Sequence, residues 1–196
     1  MSSPQPHSAN EGNSKETEVK IAVSSAEAAR ELLLRAGFAA LHERAFESNE
    51  VYDTSASDLL LSSRLLRLRD FRGDAILTFK GPPEPGPHKS RPEFETHVQS
   101  APALRQILHG LGYRLTFRYE KYRTTLHRIA EPGHAVLDET PIGTFLELEG
   151  PPSWIDSTAA ALGFTPADYI LLSYGSLYRE HCQRTGVPPT HMVFAR

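Results

Sequence analysis

The stretch Lys15 to Val23, KETEVKIAV, alternates Glu16, Glu18 and Lys20 with Thr17, Val19, Ile21 and Val23. A side-chain period of two puts the three charges on one face of a strand and the β-branched residues on the other. The pattern recurs along the chain. Arg67 and Arg69 flank Leu68, Thr78 and Lys80 flank Phe79, and Arg91, Glu93 and Glu95 lie two apart; so do Lys121 and Arg123, and Glu147 and Glu149. Six strands thus carry charge on one face and mostly apolar residues on the other. An antiparallel sheet with one wet face would account for any one of them. A generic solvated face, however, mixes Thr, Ser and Gln with Lys, whereas here Arg, Lys and Glu fill consecutive positions. If the sheet closes into a barrel, this face becomes the lumen, where ions are costly unless something pairs them.

The rest of the chain fits one such domain. At 196 residues, 39% hydrophobic and 23% charged, it is of ordinary size and composition for a single core. Residues 1–14 hold almost nothing to bury and read as a disordered lead, 15–185 as the domain, and 186–196 as a tail with little periodicity. A helix follows the first strand in SSAEAARELLLRAG, with Ser24 and Glu27 in capping-box spacing, an apolar stripe at Ala28, Leu32 and Leu33, and Gly37 past its end. RLLRLRDF and DAILTFKG, joined by RGD, form a hairpin, and the Pro-rich GPPEPGPHKS is a mobile loop. About eight strands without strict βαβ alternation predict an α+β fold built on an antiparallel sheet or barrel.

Composition narrows the partners. A net charge of −3 offers no general attraction to nucleic acid or anionic membranes. The single Cys182 excludes an internal disulfide framework and a Cys-based metal site, and no His pair has helical zinc-site spacing. No run is apolar enough for a membrane-spanning helix, and the start lacks the segments of a signal peptide, so a cytoplasmic protein is expected. Tyr113, Phe117, Tyr119 and Tyr122 could be a stacking platform for bases, but ordinary strand packing accounts for them better.

The charged face has its own chemistry. Several Lys and Arg on a concave surface suit a polyanion with phosphate groups, since Arg binds phosphate oxygens bidentately and Lys supplies point charge. Clustered carboxylates, Glu16 with Glu18 and Glu147 with Glu149, suit hard divalent cations such as Mg²⁺ or Mn²⁺. Carboxylates and phosphates repel each other unless a metal lies between them, so the two charge types together point to a metal-bridged phosphate ligand.

These residues resemble a known family. ETEVK is similar to the E-x-E-x-K strand of the CYTH superfamily, the triphosphate tunnel enzymes that include class IV adenylate cyclases, thiamine triphosphatases and inorganic triphosphatases. In order along the chain, RLLRLR resembles the family's Arg-x-Arg strand, LTFKGP its Lys strand, RPEFETHV its R-x-E-x-E strand, EKYRTTL its K-x-R strand, LDETPIGTFLELEG its Asp strand followed by E-x-E, and SYGSLY its Ser-Tyr signature.

The resemblance covers roughly 15–180 and implies an eight-stranded antiparallel tunnel with short helices outside, which binds a triphosphate with Mg²⁺ or Mn²⁺. It makes Glu16, Glu18, Glu147, Glu149 and neighbouring Asp138 the metal side. Lys20, Arg67, Arg69, Lys80, Arg91, Lys121 and Arg123 become the phosphate cradle, and Glu93 and Glu95 supporting acids; Glu16, Glu18 and Lys20 are the catalytic candidates. One position departs from the family: many members have a basic residue before Ser173-Tyr174, where this chain has Leu172. The whole layout looks nearest class IV adenylate cyclase, which would make cyclic AMP and pyrophosphate from ATP. Hydrolysis of thiamine triphosphate, tripolyphosphate or a nucleoside triphosphate is the alternative, and a polyphosphate- or nucleotide-binding module without turnover is a third reading. Whether the protein is a monomer or a homodimer stays open.

Overall fold

In a computed structural model, which describes residues 15–195, eight antiparallel strands close into a barrel. In chain order the elements are β1 (Lys15–Val23), α1 (Ala26–Arg35), β2 (Ala39–Asp53), α2 (Asp58–Leu61), β3 (Leu65–Phe71), β4 (Asp74–Lys80), β5 (Lys89–Val98), α3 (Ala101–Gly110), β6 (Arg114–His127), β7 (His134–Thr140), β8 (Gly143–Glu149), α4 (Pro152–Ala161) and α5 (Tyr174–Thr185). Around the barrel the order is β1-β5-β4-β3-β2-β6-β7-β8, and β8 pairs with β1 through Glu18 opposite Glu149 and Lys20 opposite Glu147. Closure abolishes the exposed edges of an open sheet. The lead predicted over residues 1–14 lies outside the described residues.

Alternation sorts the two faces. Val19, Ile21, Leu126, Ala135, Leu137, Leu146 and Leu148 point outward and are buried under α1 and α4, which contribute Ala29, Leu33, Trp154, Ile155 and Ala159. On the far side α3 lays Leu108 against Tyr52 and Leu68. The close seat of α4 depends on Gly133: a Cβ there would lie 2.4 Å from the Trp154 ring. The β3–β4 hairpin turns on Arg72 and Gly73, both at positive φ (57° and 88°), as a two-residue primed turn requires.

Four local expectations change. Ser25, rather than Ser24, caps α1, accepting a bond from the Ala28 amide at 3.1 Å. One residue of phase follows: Ala28 is exposed and Ala29 buried. The Pro-rich loop is pinned. The Glu84 amide donates to the Ser90 carbonyl at 2.7 Å, and buried His88 sits 2.8 Å from Asp156 of α4, so β5 begins at Lys89. The tail is docked too, because Met192 is fully buried and its amide donates to the Arg118 carbonyl. Finally, α5 does not simply pack outside. It enters one end of the barrel with Tyr174 and Tyr178 among Tyr119, Phe145 and Phe117. The aromatics of β6 divide between faces: Tyr119 and Phe117 face the lumen, whereas Tyr113 packs with the α3 cluster and Tyr122 against Phe46 and Phe194 outside. No helix among the described residues is long and apolar enough to cross a membrane.

Candidate functional site

The lumen is a cavity of about 820 Å³ lined by the alternating charges. Into it point Glu16, Glu18 and Lys20 from β1, Arg67 and Arg69 from β3, Lys80 from β4, Arg91, Glu93 and Glu95 from β5, Lys121 and Arg123 from β6, and Glu147 and Glu149 from β8. Backbone hydrogen bonding is satisfied by the barrel, so these side chains are free to be spent on one another or on a ligand.

Three groups of contacts organise them. In the first, Asp138 is fully buried beneath the lumen; Lys121 donates to it at 2.8 Å, Arg123 grips it with two bonds at 2.8 and 2.7 Å, and the Tyr174 hydroxyl donates at 2.8 Å. Burial would raise the Asp138 pKa, but Arg123 and Lys121 hold it well below the usual carboxylate range. Arg123 also reaches Glu147 at 2.7 Å, and Lys20 donates to Glu147. Glu47, fully buried below the same wall, lies 3.3 Å from Lys121. In the second group, Arg67 and Arg69 meet Glu95 at 3.4 and 3.2 Å, and Arg67 also donates to the Tyr119 hydroxyl at 3.1 Å.

The third group is acidic. One oxygen each from Glu16, Glu18 and Glu149 lie within 4.8 Å of one another. Lys80 pairs with Glu16 and, at 2.8 Å, with Glu93, while Lys89 donates to Glu18 at 2.5 Å. Burial opposes ionisation of Glu16, yet Lys80 holds its pKa down at about 2. Burial, together with a hydrogen bond to Glu16, pushes Glu93 up to about 8. Three carboxylate oxygens converging in a buried, cation-lined wall are the donor set a hard divalent ion takes, so these residues fit Mg²⁺ or Mn²⁺. Of the five residues expected on the metal side, the structure gathers Glu16, Glu18 and Glu149; Glu147 and Asp138 are engaged by Lys20, Lys121 and Arg123 instead.

Arg91 stands apart. It is 8% exposed and faces the lumen, and among the described residues its side chain has no hydrogen bond or ion pair; its Nε is buried without a partner, as are those of Arg67 and Arg69. Buried polar groups are normally satisfied, so donors left over in a cavity mark where an acceptor from outside would fit.

Several site residues escaped the sequence reading. Lys89 extends the period-two run of Arg91, Glu93 and Glu95 by one step, but it falls within the Pro-rich stretch GPPEPGPHKS, which reads as loop. Burial lowers the pKa of Lys89, as do neighbouring Lys20 and Arg91, against the pull of Glu18. His134 lines the lumen on β7, and the Glu149 carboxylate 3.1 Å away raises its pKa. Leu172 does not line the cavity, whereas Ser173 and Tyr174 do.

The profile of the CYTH domain matches residues 14–155. The chain belongs to the CYTH family. Over 134 residues this CYTH chain is 27% identical to a protein of Methanocaldococcus jannaschii provisionally named an adenylate cyclase, which spans 68% of this chain and 75% of that one. Its fold superimposes on a Vibrio parahaemolyticus protein, likewise provisionally named an adenylate cyclase, with TM-score 0.73 and 20% identity, covering 85% of this chain and 98% of that one. A Hippeastrum protein, provisionally an adenylyl cyclase and described as having a dominant triphosphatase activity, superimposes with TM-score 0.58 and 17% identity over 89% of this chain and 97% of its own. The closed antiparallel barrel is thus the CYTH tunnel, and its relatives are adenylate cyclase-like and triphosphatase proteins.

Proposed function

We propose that this chain is a cytoplasmic, divalent-metal-dependent enzyme that breaks a phosphoanhydride bond of a triphosphate held in the lumen, with ATP giving cyclic AMP and pyrophosphate as the first reading. The observation that carries it is Arg91, a buried lumen cation with no partner among the described residues, facing the same cavity as the convergent Glu16, Glu18 and Glu149. Arg91, with the unpartnered Nε groups of Arg67 and Arg69, offers donors to phosphate oxygens, and Lys20 and Arg123 add charge from β1 and β6. Glu16, Glu18 and Glu149 would hold the ion, which supplies charge neutralisation and polarisation of phosphoryl oxygens when bound. Tyr174 and Asp138 fix Lys121 and Arg123 in the wall, so the cradle is aligned before the phosphates arrive. Phosphoryl transfer asks little else of a protein than this alignment and electrostatic support.

The nucleophile separates two outcomes. Attack by the ribose 3′-hydroxyl on the α-phosphorus expels pyrophosphate and closes cyclic AMP; attack by water on a phosphorus of the chain yields hydrolysis. The cyclase names of the Methanocaldococcus and Vibrio relatives support the first, and the activity described for the Hippeastrum protein supports the second. Incubating the purified protein with ATP, thiamine triphosphate and tripolyphosphate, each with Mg²⁺ or Mn²⁺, tests both. Cyclic AMP marks the cyclase and orthophosphate the hydrolase. Tight binding of all three without product would reject an enzyme and leave a binding module.

A further inference from the structure

Each of the three carboxylates that converge in the lumen already meets a basic side chain of the protein. Lys80 pairs with Glu16, Lys89 donates to Glu18 at 2.5 Å, and His134 lies 3.1 Å from Glu149. Register sets the middle pair, since β1 and β5 run antiparallel with Glu18 directly opposite Lys89 and Glu16 opposite Arg91. Acids on one strand thus face bases on the next, although Lys80 of β4, rather than Arg91, takes Glu16.

Lys89 differs from the other two bases. Lys80 has a second carboxylate, Glu93 at 2.8 Å, and the His134 ring is charged only when protonated. Among the described residues the Lys89 ammonium meets no carboxylate but Glu18, and its side chain is only 10% exposed. A divalent ion on Glu16, Glu18 and Glu149 would compete with it for Glu18, and like charges so close repel. Losing Glu18 strands a buried cation, which is costly unless another anion takes it. Lys89 lines the same cavity as Arg91, two residues along the same face of β5, where phosphate oxygens would supply that anion.

We propose that Lys89 is an exchangeable counterion: it neutralises Glu18 while no divalent ion is bound, and turns to the phosphates of the substrate once the ion takes Glu18. This rests on the triphosphate reading above and adds a coupling between its two ligands. An ion binding alone leaves Lys89 without a partner, and phosphates arriving alone find Lys89 engaged; the two together satisfy both. Through Lys89, metal and triphosphate each strengthen the other's binding by the same factor, as linkage requires.

Calorimetry of Lys89→Met beside the wild type, with Mn²⁺ and with fully methylene-bridged tripolyphosphate, which resists cleavage, separates this role from a fixed contact. Without the analogue, the variant should bind Mn²⁺ about tenfold more tightly than the wild type, since the competing charge-assisted bond to Glu18 is gone. With a chelator present, its affinity for the analogue should stay at the wild-type value. At saturating Mn²⁺ that affinity should be about tenfold weaker than in the wild type, the worth of the bond Lys89 would have made. Lys89→Gln, which keeps a hydrogen-bond donor for Glu18 without the charge, should repeat the pattern, and unfolding midpoints report whether each barrel is intact. Equal weakening of the analogue with and without Mn²⁺ makes Lys89 a standing phosphate contact. Unchanged or weaker Mn²⁺ binding, or no weakening of the analogue at saturating Mn²⁺, makes its pair with Glu18 purely structural. Any of these overturns the inference while the triphosphate reading stands. Failure of the wild type to bind the analogue at any Mn²⁺ concentration overturns both.

Discussion

Arg91 and Glu18 separate what the lumen does for the fold from what it does for a ligand. Since Arg91 has no carboxylate to lose among the described residues, Arg91→Met removes a buried charge without stranding another. Its unfolding midpoint should hold or rise, while tripolyphosphate affinity falls about tenfold to a hundredfold, the worth of a charge-assisted hydrogen bond. Calorimetry beside thermal unfolding reads both. Glu18 is the opposite case, paired with Lys89 and converging with Glu16 and Glu149. Glu18→Gln should lose metal-dependent turnover by about a hundredfold or more and weaken Mn²⁺ binding, with the circular dichroism of the folded barrel retained. Turnover surviving that change would refute the carboxylate trio as the metal site.

Outside the lumen, β2 and α3 are joined by a polar clasp. Glu50 accepts from Arg105 of α3 at 2.8 Å and from the Tyr52 hydroxyl at 2.8 Å. Burial would raise the Glu50 pKa, but the bonds from Arg105 and Tyr52 win and lower it. A carboxylate lowered in the folded state stabilises above its unfolded pKa of about 4.3 and loses that contribution as pH falls through the folded value. Glu50→Gln should therefore cost about 1 kcal/mol at pH 7, and urea unfolding at a series of pH values should show the difference from wild type closing below about pH 4. A difference that persisted in acid would assign the loss to packing rather than charge.

The molecule as a whole is a barrel whose outer face is an ordinary apolar core and whose inner face is a set of paired ions. Such pairs are poor sources of stability, since each ion's desolvation offsets most of its attraction. The outer clusters under α1, α3 and α4 must carry the fold. Because Lys80 and Lys89 already face Glu16, Glu93 and Glu18, chelation of the metal should abolish turnover and leave the barrel folded. Adding metal with tripolyphosphate at a hundred times its dissociation constant should then stabilise by about 2.7 kcal/mol, read as a raised unfolding midpoint. Collapse of the fold on chelation would make the ion structural instead.

The amino-acid sequence by itself determined which residues face inward. A period of two cannot place Glu16, Glu18 and Lys20 on different faces, and six strands sharing that habit make a charged face legible in the sequence, a lumen if the sheet closes. It also carried the element order, because turns such as Arg72-Gly73 are local events, although the cap of α1 fell one residue later than its spacing suggested, on Ser25. Only the tertiary structure decided which charges meet. Whether Glu149 joins Glu16 and Glu18, or Asp138 is taken by Arg123, depends on how β8 registers against β1 and β6 against β7, contacts more than a hundred residues apart in the first case. Lys89 stayed hidden because the proline-rich loop before it is ordered by distant Asp156, not by its own sequence. Strand alternation is a property of neighbouring residues, whereas closure and register belong to the whole barrel, and the carboxylate trio and the lumen that Arg91 faces exist only once it is closed.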